Sequence, residues 1–310
     1  MQYELAERQL QNIQDTVIIT GCPRSGTSVF GQIISTFEGM EYHYEPQIVH
    51  ILMRLLERNE ISKNIAFLLL RMYLHEDLLV ESAHARRVNL RPNDTTLILN
   101  SMPWKELIHR WSSIANTADA LAYINERNLR VAIKTINVIG FISNLREALP
   151  EAKFLLILRD GRDVVYSLLQ RNWLTDEALQ HHYWPYKFVD GHRVPDRVDD
   201  DTAERWVAMK PIDRACYLWR RDAESSIQAM SGQRRDELHV IRYEALLSDP
   251  EPLLADVARF LVSRMTDQTY PMVRSLRPYK PRDSYAFLDE ADPKEFKRFR
   301  EVNEALGYRW

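Results

Sequence analysis

The chain has 310 residues, a length that suits one large α/β domain carrying helical insertions. Charged residues make up 27% of it and the formal net charge is −3, which excludes a strongly basic nucleic-acid surface and an acidic tail and leaves small or neutral partners. Two cysteines, Cys22 and Cys216, are too few for a disulfide framework and fit a reducing compartment.

The N-terminus carries Glu4 and Glu7 where a signal peptide needs a basic start and an apolar run. The longest apolar stretch, Ile65 to Leu70, is too short to span a bilayer, so a soluble, cytoplasmic protein without a transmembrane segment is expected. Val17 to Ile19 reads as a buried strand that runs into Gly21-Cys22-Pro23-Arg24-Ser25-Gly26-Thr27-Ser28, a loop of phosphate size. Val29, Phe30, Ile33, Ile34 and Phe37 then continue as the apolar stripe of a helix. A strand, a glycine-bearing turn and a helix start aim backbone N–H groups and the positive end of a helix dipole at one point, where Arg24, Ser25, Thr27 and Ser28 add donors. Gly21 and Gly26 keep the Walker A spacing, yet Thr27 stands where that loop has its lysine, and the cation has moved back to Arg24.

Met40 to Tyr44 reads as a second strand beside the first, with Tyr42 and Tyr44 on one face and His43 on the other. Pro46 starts the following helix and leaves Glu45 at the strand's carboxyl end, facing the same crevice as the anion loop. Helical stretches over Gln47 to Arg58, Ser62 to Val80 and Trp104 to Arg127, interrupted by a polar link around Arg91 to Asp94, predict a helical cap within residues 47–128. Val131 to Ile133 is the next apolar β-rich run, with Lys134 at its end. Phe154 to Leu158 is apolar throughout, as in a parallel strand buried on both faces. Arg159 ends that run at the position where open α/β sheets bind ligands, and Ser167 on the helix beyond the turn can grip one phosphate with it. Two rival readings stand beside this one: Asp160 as a magnesium-holding acid, and Arg159 as a surface partner of Asp163.

A second insertion, residues 172–213, holds His181, His182, Tyr183, Trp184 and Tyr186 and then the acidic run Asp199 to Asp201, without a clean period. It reads either as an acceptor-binding loop or as a solvated connection. His239 to Tyr243 is the fourth β-rich run. Ser248-Asp249-Pro250-Glu251 then supplies a cap and a proline at the first helical position, ahead of a stripe at Leu253, Leu254, Val257, Phe260 and Leu261. Apolar runs alternating with helical patterns give an α/β fold, a central parallel sheet flanked by helices.

The loop containing Pro23-Arg24-Ser25-Gly26-Thr27 resembles the 5′-phosphosulfate loop of sulfotransferases that use 3′-phosphoadenosine 5′-phosphosulfate (PAPS). Phe154 to Ser167 is similar to the same family's 3′-phosphate segment, and Arg242-Tyr243-Glu244-Ala245-Leu246 with Asp249-Pro250 resembles its Arg-Tyr-Glu-Asp-Leu…Asp-Pro signature, Ala245 replacing the usual Asp. The ending Leu306-Gly307-Tyr308 is similar to the closing helix of bacterial and tyrosylprotein sulfotransferases, the members closest in pattern. The resemblance implies a P-loop-like sulfotransferase fold and PAPS-dependent transfer to a hydroxyl of a small-molecule, lipid or glycan acceptor, with adenosine 3′,5′-bisphosphate (PAP) as product and no metal. It further implies that Arg24 to Ser28, Arg159 and Ser167 hold the donor, that Tyr243 lies near the adenine, and that Lys280 and Arg282 close over the 3′-phosphate. Cytosolic members place a histidine base in Lys-Thr-His, where this chain has Lys134-Thr135-Ile136, and isoleucine is no base. Members with a glutamate base implicate Glu45, with Glu41 and His43 as reserves, while Lys134 becomes a second cation beside Arg24. A P-loop kinase using ATP and magnesium, which would want the absent lysine, and a non-catalytic nucleotide-binding protein are the alternatives. No clear match to the short dimerisation motif of the cytosolic members is present.

Overall fold

Val17–Gly21 (β1) is buried along its whole length, because it is the centre of a five-stranded sheet and has neighbours on both edges and both faces. The computed structural model describes residues 4–92, 94, 96–181, 185–232 and 236–310. The strands are β1, Met40–Tyr44 (β2), Arg130–Lys134 (β3), Lys153–Leu158 (β4) and, after a separate hairpin of Tyr186–Val189 (β5) and His192–Pro195 (β6), Leu238–Arg242 (β7). Their order is β2-β3-β1-β4-β7 and every pairing in the sheet is parallel. All five carboxyl ends therefore open on one crevice.

The period of two along the strands divides the core into two layers. Val17, Ile19, Leu155, Ile157 and Ile241 pack with Phe30, Ile33 and Ile34 of helix Thr27–Ile34 and with Leu254, Val257 and Leu261 of helix Pro250–Leu261. Ile18, Ile133, Phe154 and Leu156 face the opposite layer, where Met53, Leu70, Val164, Val165 and Trp219 are buried. Helix Gly161–Leu169 lies against the 22-residue helix Pro211–Gly232, which in turn packs on helix Pro293–Ala305.

Several sequence expectations change. The strand β2 sits beyond β3 at the sheet edge and not beside β1, because the hydrophobic face of Val131–Ile133 competes for the inner position. The 62–80 stretch divides into helix Lys63–Met72 and a π-helical segment Tyr73–Val80, and the 104–127 stretch breaks where Asn116 accepts a hydrogen bond from the Asp119 amide and starts a new helix, Thr117–Glu126. The polar link at 91–94 falls in the irregular stretch before Ile98, and Asn93 lies outside the described residues. The 172–213 insertion is organised: it carries the β5–β6 hairpin, turning at Asp190-Gly191 with φ of +48° and +80°. Asp-Gly is a strong hairpin signal that the mixed composition of the segment conceals. His182, Tyr183 and Trp184 lie outside the described residues.

No helix among the described residues is long and apolar enough to cross a membrane. Both thiols are free and buried, and burial pushes both well above the ordinary thiol range. Iodoacetamide at pH 8 is thus expected to leave the native chain unlabelled and to modify two thiols in denaturant; rapid labelling of native Cys22 by intact-mass analysis would contradict the packing around the loop.

Candidate active site

The turn after β1 is closed by a hydrogen bond from the Ser25 amide to the Cys22 carbonyl, and Gly26 caps helix Thr27–Ile34 with φ of +90°. A Cβ on Gly26 would stand 2.2 Å from the Tyr243 ring, so a residue without a side chain is required there twice over, by backbone angle and by contact. Gly26 has no side chain to cap this helix start, and the amides of a helix's first turn have no partner within the helix. Ser25 and Thr27 are buried in the turn, and Ser28 lies half-buried one residue on.

Arg24 adopts φ of +71°, a left-handed backbone unusual for a residue with a Cβ. Its Nε donates to Ser167 Oγ at 3.0 Å, and its own carbonyl accepts from Arg159 Nη1 at 2.9 Å. The Arg159 guanidinium lies 4.6 Å from the centre of the Tyr243 ring, and that of Arg24 lies 5.5 Å from Trp173. The structure thus brings Arg24, Ser25, Gly26, Thr27, Ser28, Arg159, Ser167 and Tyr243 to one place. Partial burial, together with the charges of Arg171 and Arg159, holds the Arg24 guanidinium below its ordinary pKa. Mutually repelling cations beside unpartnered amides make a site for an anion.

Glu45 follows β2 and is the second non-glycine residue of the crevice in the left-handed region, with φ of +44°. That turn lets its amide donate to the Lys134 carbonyl at 2.7 Å while its carboxylate accepts from Lys134 Nζ. Lys134 is only 2% exposed, and its Nζ sits 4.4 Å from the centre of the Tyr44 ring. The reserves lie elsewhere. Glu41 is buried in an ion pair with Arg110, 2.9 Å away, and His43 lies half-buried on the same face with its ring Nε2 shielded from solvent, where desolvation depresses its pKa to about 4.

Of the rival readings, Asp160 is occupied as the N-cap of helix Gly161–Leu169 and as the partner of Arg162 at 2.6 Å. Arg159 does approach Asp163, at 3.6 Å, but Asp163 is 5% exposed and not a surface group. It accepts hydrogen bonds from Tyr279 at 3.1 Å and Tyr285 at 3.2 Å and has Arg282 at 3.8 Å, so it fastens the C-terminal segment over the crevice. Lys280 and Arg282 are exposed on that segment. Sequence reasoning missed Asp163 as an anchor, Trp173 beside Arg24, and the pair of His50 and Asp196, 3.2 Å apart, which flanks a cleft containing Glu45. Only Asp163 had a signal, its placement one turn after Arg159.

A family model described as "Sulfotransferase family" matches residues 16–267. The solved structure of a sulfotransferase domain from the curacin biosynthetic pathway is similar at 13% identity, covering 95% of this chain and 98% of that one, with a TM-score of 0.51. The sulfotransferase domain of the Synechococcus PCC 7002 olefin synthase is 15% identical, covering 96% and 95% with a TM-score of 0.47. Sulfotransferase STF1 of Mycobacterium tuberculosis is 14% identical, covering 96% and 78% with a TM-score of 0.49. A search of curated proteins finds no match.

His43 gives this region a pH signature. Its folded pKa of about 4 lies below the unfolded value near 6.5, so between those limits the unfolded chain binds the proton and the folded chain does not. Stability therefore falls as pH drops from about 6.5 towards 4, by at most about 1.4 kcal/mol per unit from this group. Urea midpoints at pH 7 and pH 5.5 should separate less in His43→Gln than in the unaltered chain; equal separation would mean that His43 is protonated in the fold.

Proposed function

The chain belongs to the sulfotransferase family, and from that premise we propose that it transfers the sulfuryl group of PAPS to an alcohol, releasing PAP, with one catalytic unit spanning residues 1–310 and the 47–128 and 172–213 insertions shaping the acceptor side. The observation that carries the reading is the convergence of Arg24, Arg159 and Ser167 on one point beside the loop, joined by bonds of 3.0 and 2.9 Å. Arg159 and Ser167 bind the 3′-phosphate, and Tyr243 orients the adenine. The loop amides with Ser25, Thr27 and Ser28 hold the 5′-phosphosulfate. A cytoplasmic location accords with two free thiols.

Glu45 takes the proton of the attacking hydroxyl as the new O–S bond forms and the bond from sulfur to the bridging phosphate oxygen breaks. Lys134, now paired with Glu45, is the cation that turns to the transferring group, and Arg24 supplies the other. The ion pair also keeps the Glu45 side chain aimed until an acceptor arrives. Arginine and lysine supply the positive charge that a metal would otherwise provide. A kinase reading is disfavoured by Thr27 in the lysine position and by the engagement of Asp160 with Arg162.

PAP, present at about 100 times its dissociation constant, would add about 2.7 kcal/mol of stability and raise the melting temperature by several degrees, whereas AMP or ATP with magnesium would not. Arg159→Ala should abolish that rise, and a shift seen with ATP and magnesium alone would overturn the donor assignment. Glu45→Gln keeps an acceptor for Lys134 and should retain the PAP shift while slowing sulfuryl transfer about 10²- to 10⁴-fold. Full turnover in that variant removes Glu45 as the base.

A further inference from the structure

Asp163, in the first turn of helix Gly161–Leu169, is buried, yet four side chains converge on it, three of them from the C-terminal segment. Each of its oxygens serves one hydroxyl and one guanidinium. Oδ1 accepts from Tyr285 at 3.2 Å and has Arg282 Nε at 3.8 Å, while Oδ2 accepts from Tyr279 at 3.1 Å and has Arg159 Nη2 at 3.6 Å. The helix dipole accounts for an acid in a first turn but not for this gathering of arginines and tyrosines around it.

The two arginines stand at ion-pair distance but beyond hydrogen-bond length, so Asp163 fixes where they sit without consuming their N–H donors. Arg159 spends Nη1 on the Arg24 carbonyl at 2.9 Å. The Arg282 guanidinium lies 3.3 Å from the centre of the Tyr166 ring, one residue before Ser167, and makes no side-chain hydrogen bond among the described residues. Both guanidiniums thus keep donors for an anion. The segment that carries Arg282 has little of its own to hold it. Residues 276–285 form no helix or strand, and among the described residues 277–284 make no backbone–backbone hydrogen bond, Pro278 and Pro281 lacking the N–H to donate one. The Tyr279 and Tyr285 hydroxyls, on either side of Arg282 in the chain, tie the segment down, and both end on Asp163.

We propose that Asp163 is the positioning residue for the donor's 3′-phosphate: without touching the ligand, it holds Arg159 directly and Arg282 through Tyr279 and Tyr285, so that both guanidiniums meet the phosphate already in place. This rests on the sulfotransferase reading and extends its donor site to a carboxylate and two tyrosines that act through other residues. The sign of the effect separates positioning from plain charge. A carboxylate near a bound phosphate repels it, so neutralising Asp163 would tighten donor binding if its charge were all that mattered, whereas loss of positioning weakens it.

The test titrates the full chain calorimetrically with PAPS and with adenosine 5′-phosphosulfate, which has the same adenine and 5′-phosphosulfate but no 3′-phosphate. Asp163→Asn should raise the PAPS dissociation constant about tenfold and leave that of adenosine 5′-phosphosulfate within about twofold. Tyr279→Phe combined with Tyr285→Phe leaves the carboxylate and Arg159 in place and decides the matter if Asp163→Asn does not fold. It should weaken PAPS about fivefold, spare adenosine 5′-phosphosulfate, and speed tryptic cleavage after Arg282, the one basic residue of 276–285 that no proline follows. An unchanged or tighter PAPS constant in either folded variant, or equal weakening of both nucleotides, would overturn the inference; the donor reading stands if Arg159→Ala still removes the preference for PAPS. An unaltered chain that binds both nucleotides equally would remove the donor reading and this inference together.

Discussion

The hydrogen bond from Arg159 to the carbonyl of Arg24 is the contact on which the crevice depends. It joins the end of β4 to a turn that leaves β1, and it does so through a residue whose backbone is held in a conformation that a side-chain-bearing residue seldom takes. The Arg24 guanidinium in turn reaches the helix after β4, where its Nε donates to Ser167 Oγ. Tyr243, just beyond β7, completes the arrangement, its ring filling the space that a Cβ on Gly26 would need. Three strand ends are thus locked around one anion-sized point, and the parallel sheet makes that possible because all its carboxyl ends lie together.

A second coupling crosses from β2 to β3. Lys134 is almost wholly buried, so its charge must be met locally, and Glu45 meets it while Tyr44 offers its ring face. The left-handed turn at Glu45 is what brings amide and carboxylate of one residue onto the carbonyl and ammonium of another. Strain at Arg24 and at Glu45 falls on the two residues that line the crevice from opposite sides. The pairing holds a carboxylate and a cation in direct contact at the carboxyl ends of the two strands.

The insertion after helix Gly161–Leu169 joins this core through polar contacts. Asp196 and Arg197 at the end of β6 reach His50 and Asp222, and Asp222 lies beside the Cys22 thiol at the foot of the anion loop. The hairpin is therefore anchored by paired groups to the same loop that faces the crevice.

The strand–loop–helix at Val17 to Ser28, the apolar strand ending at Arg159, and the capped helix after Asp249 were legible because each is a local pattern: a run of apolar residues, a glycine at a fixed offset, a proline at a helix start. Arg24, Arg159 and Ser167 could be named from such patterns, as could Glu45 by resemblance. The position of β2 at the sheet edge, the burial of Asp163, the retirement of Glu41 into a pair with Arg110, and the cleft that combines Glu45 with Asn137 and Asp196 were not. Those depend on which residues from distant segments meet. By itself the sequence determined the α/β class and the anion loop, since periodicity and turn chemistry act over a few residues; the tertiary structure decided which carboxylate faces the crevice and what surrounds it, since those follow from long-range packing that no local pattern encodes.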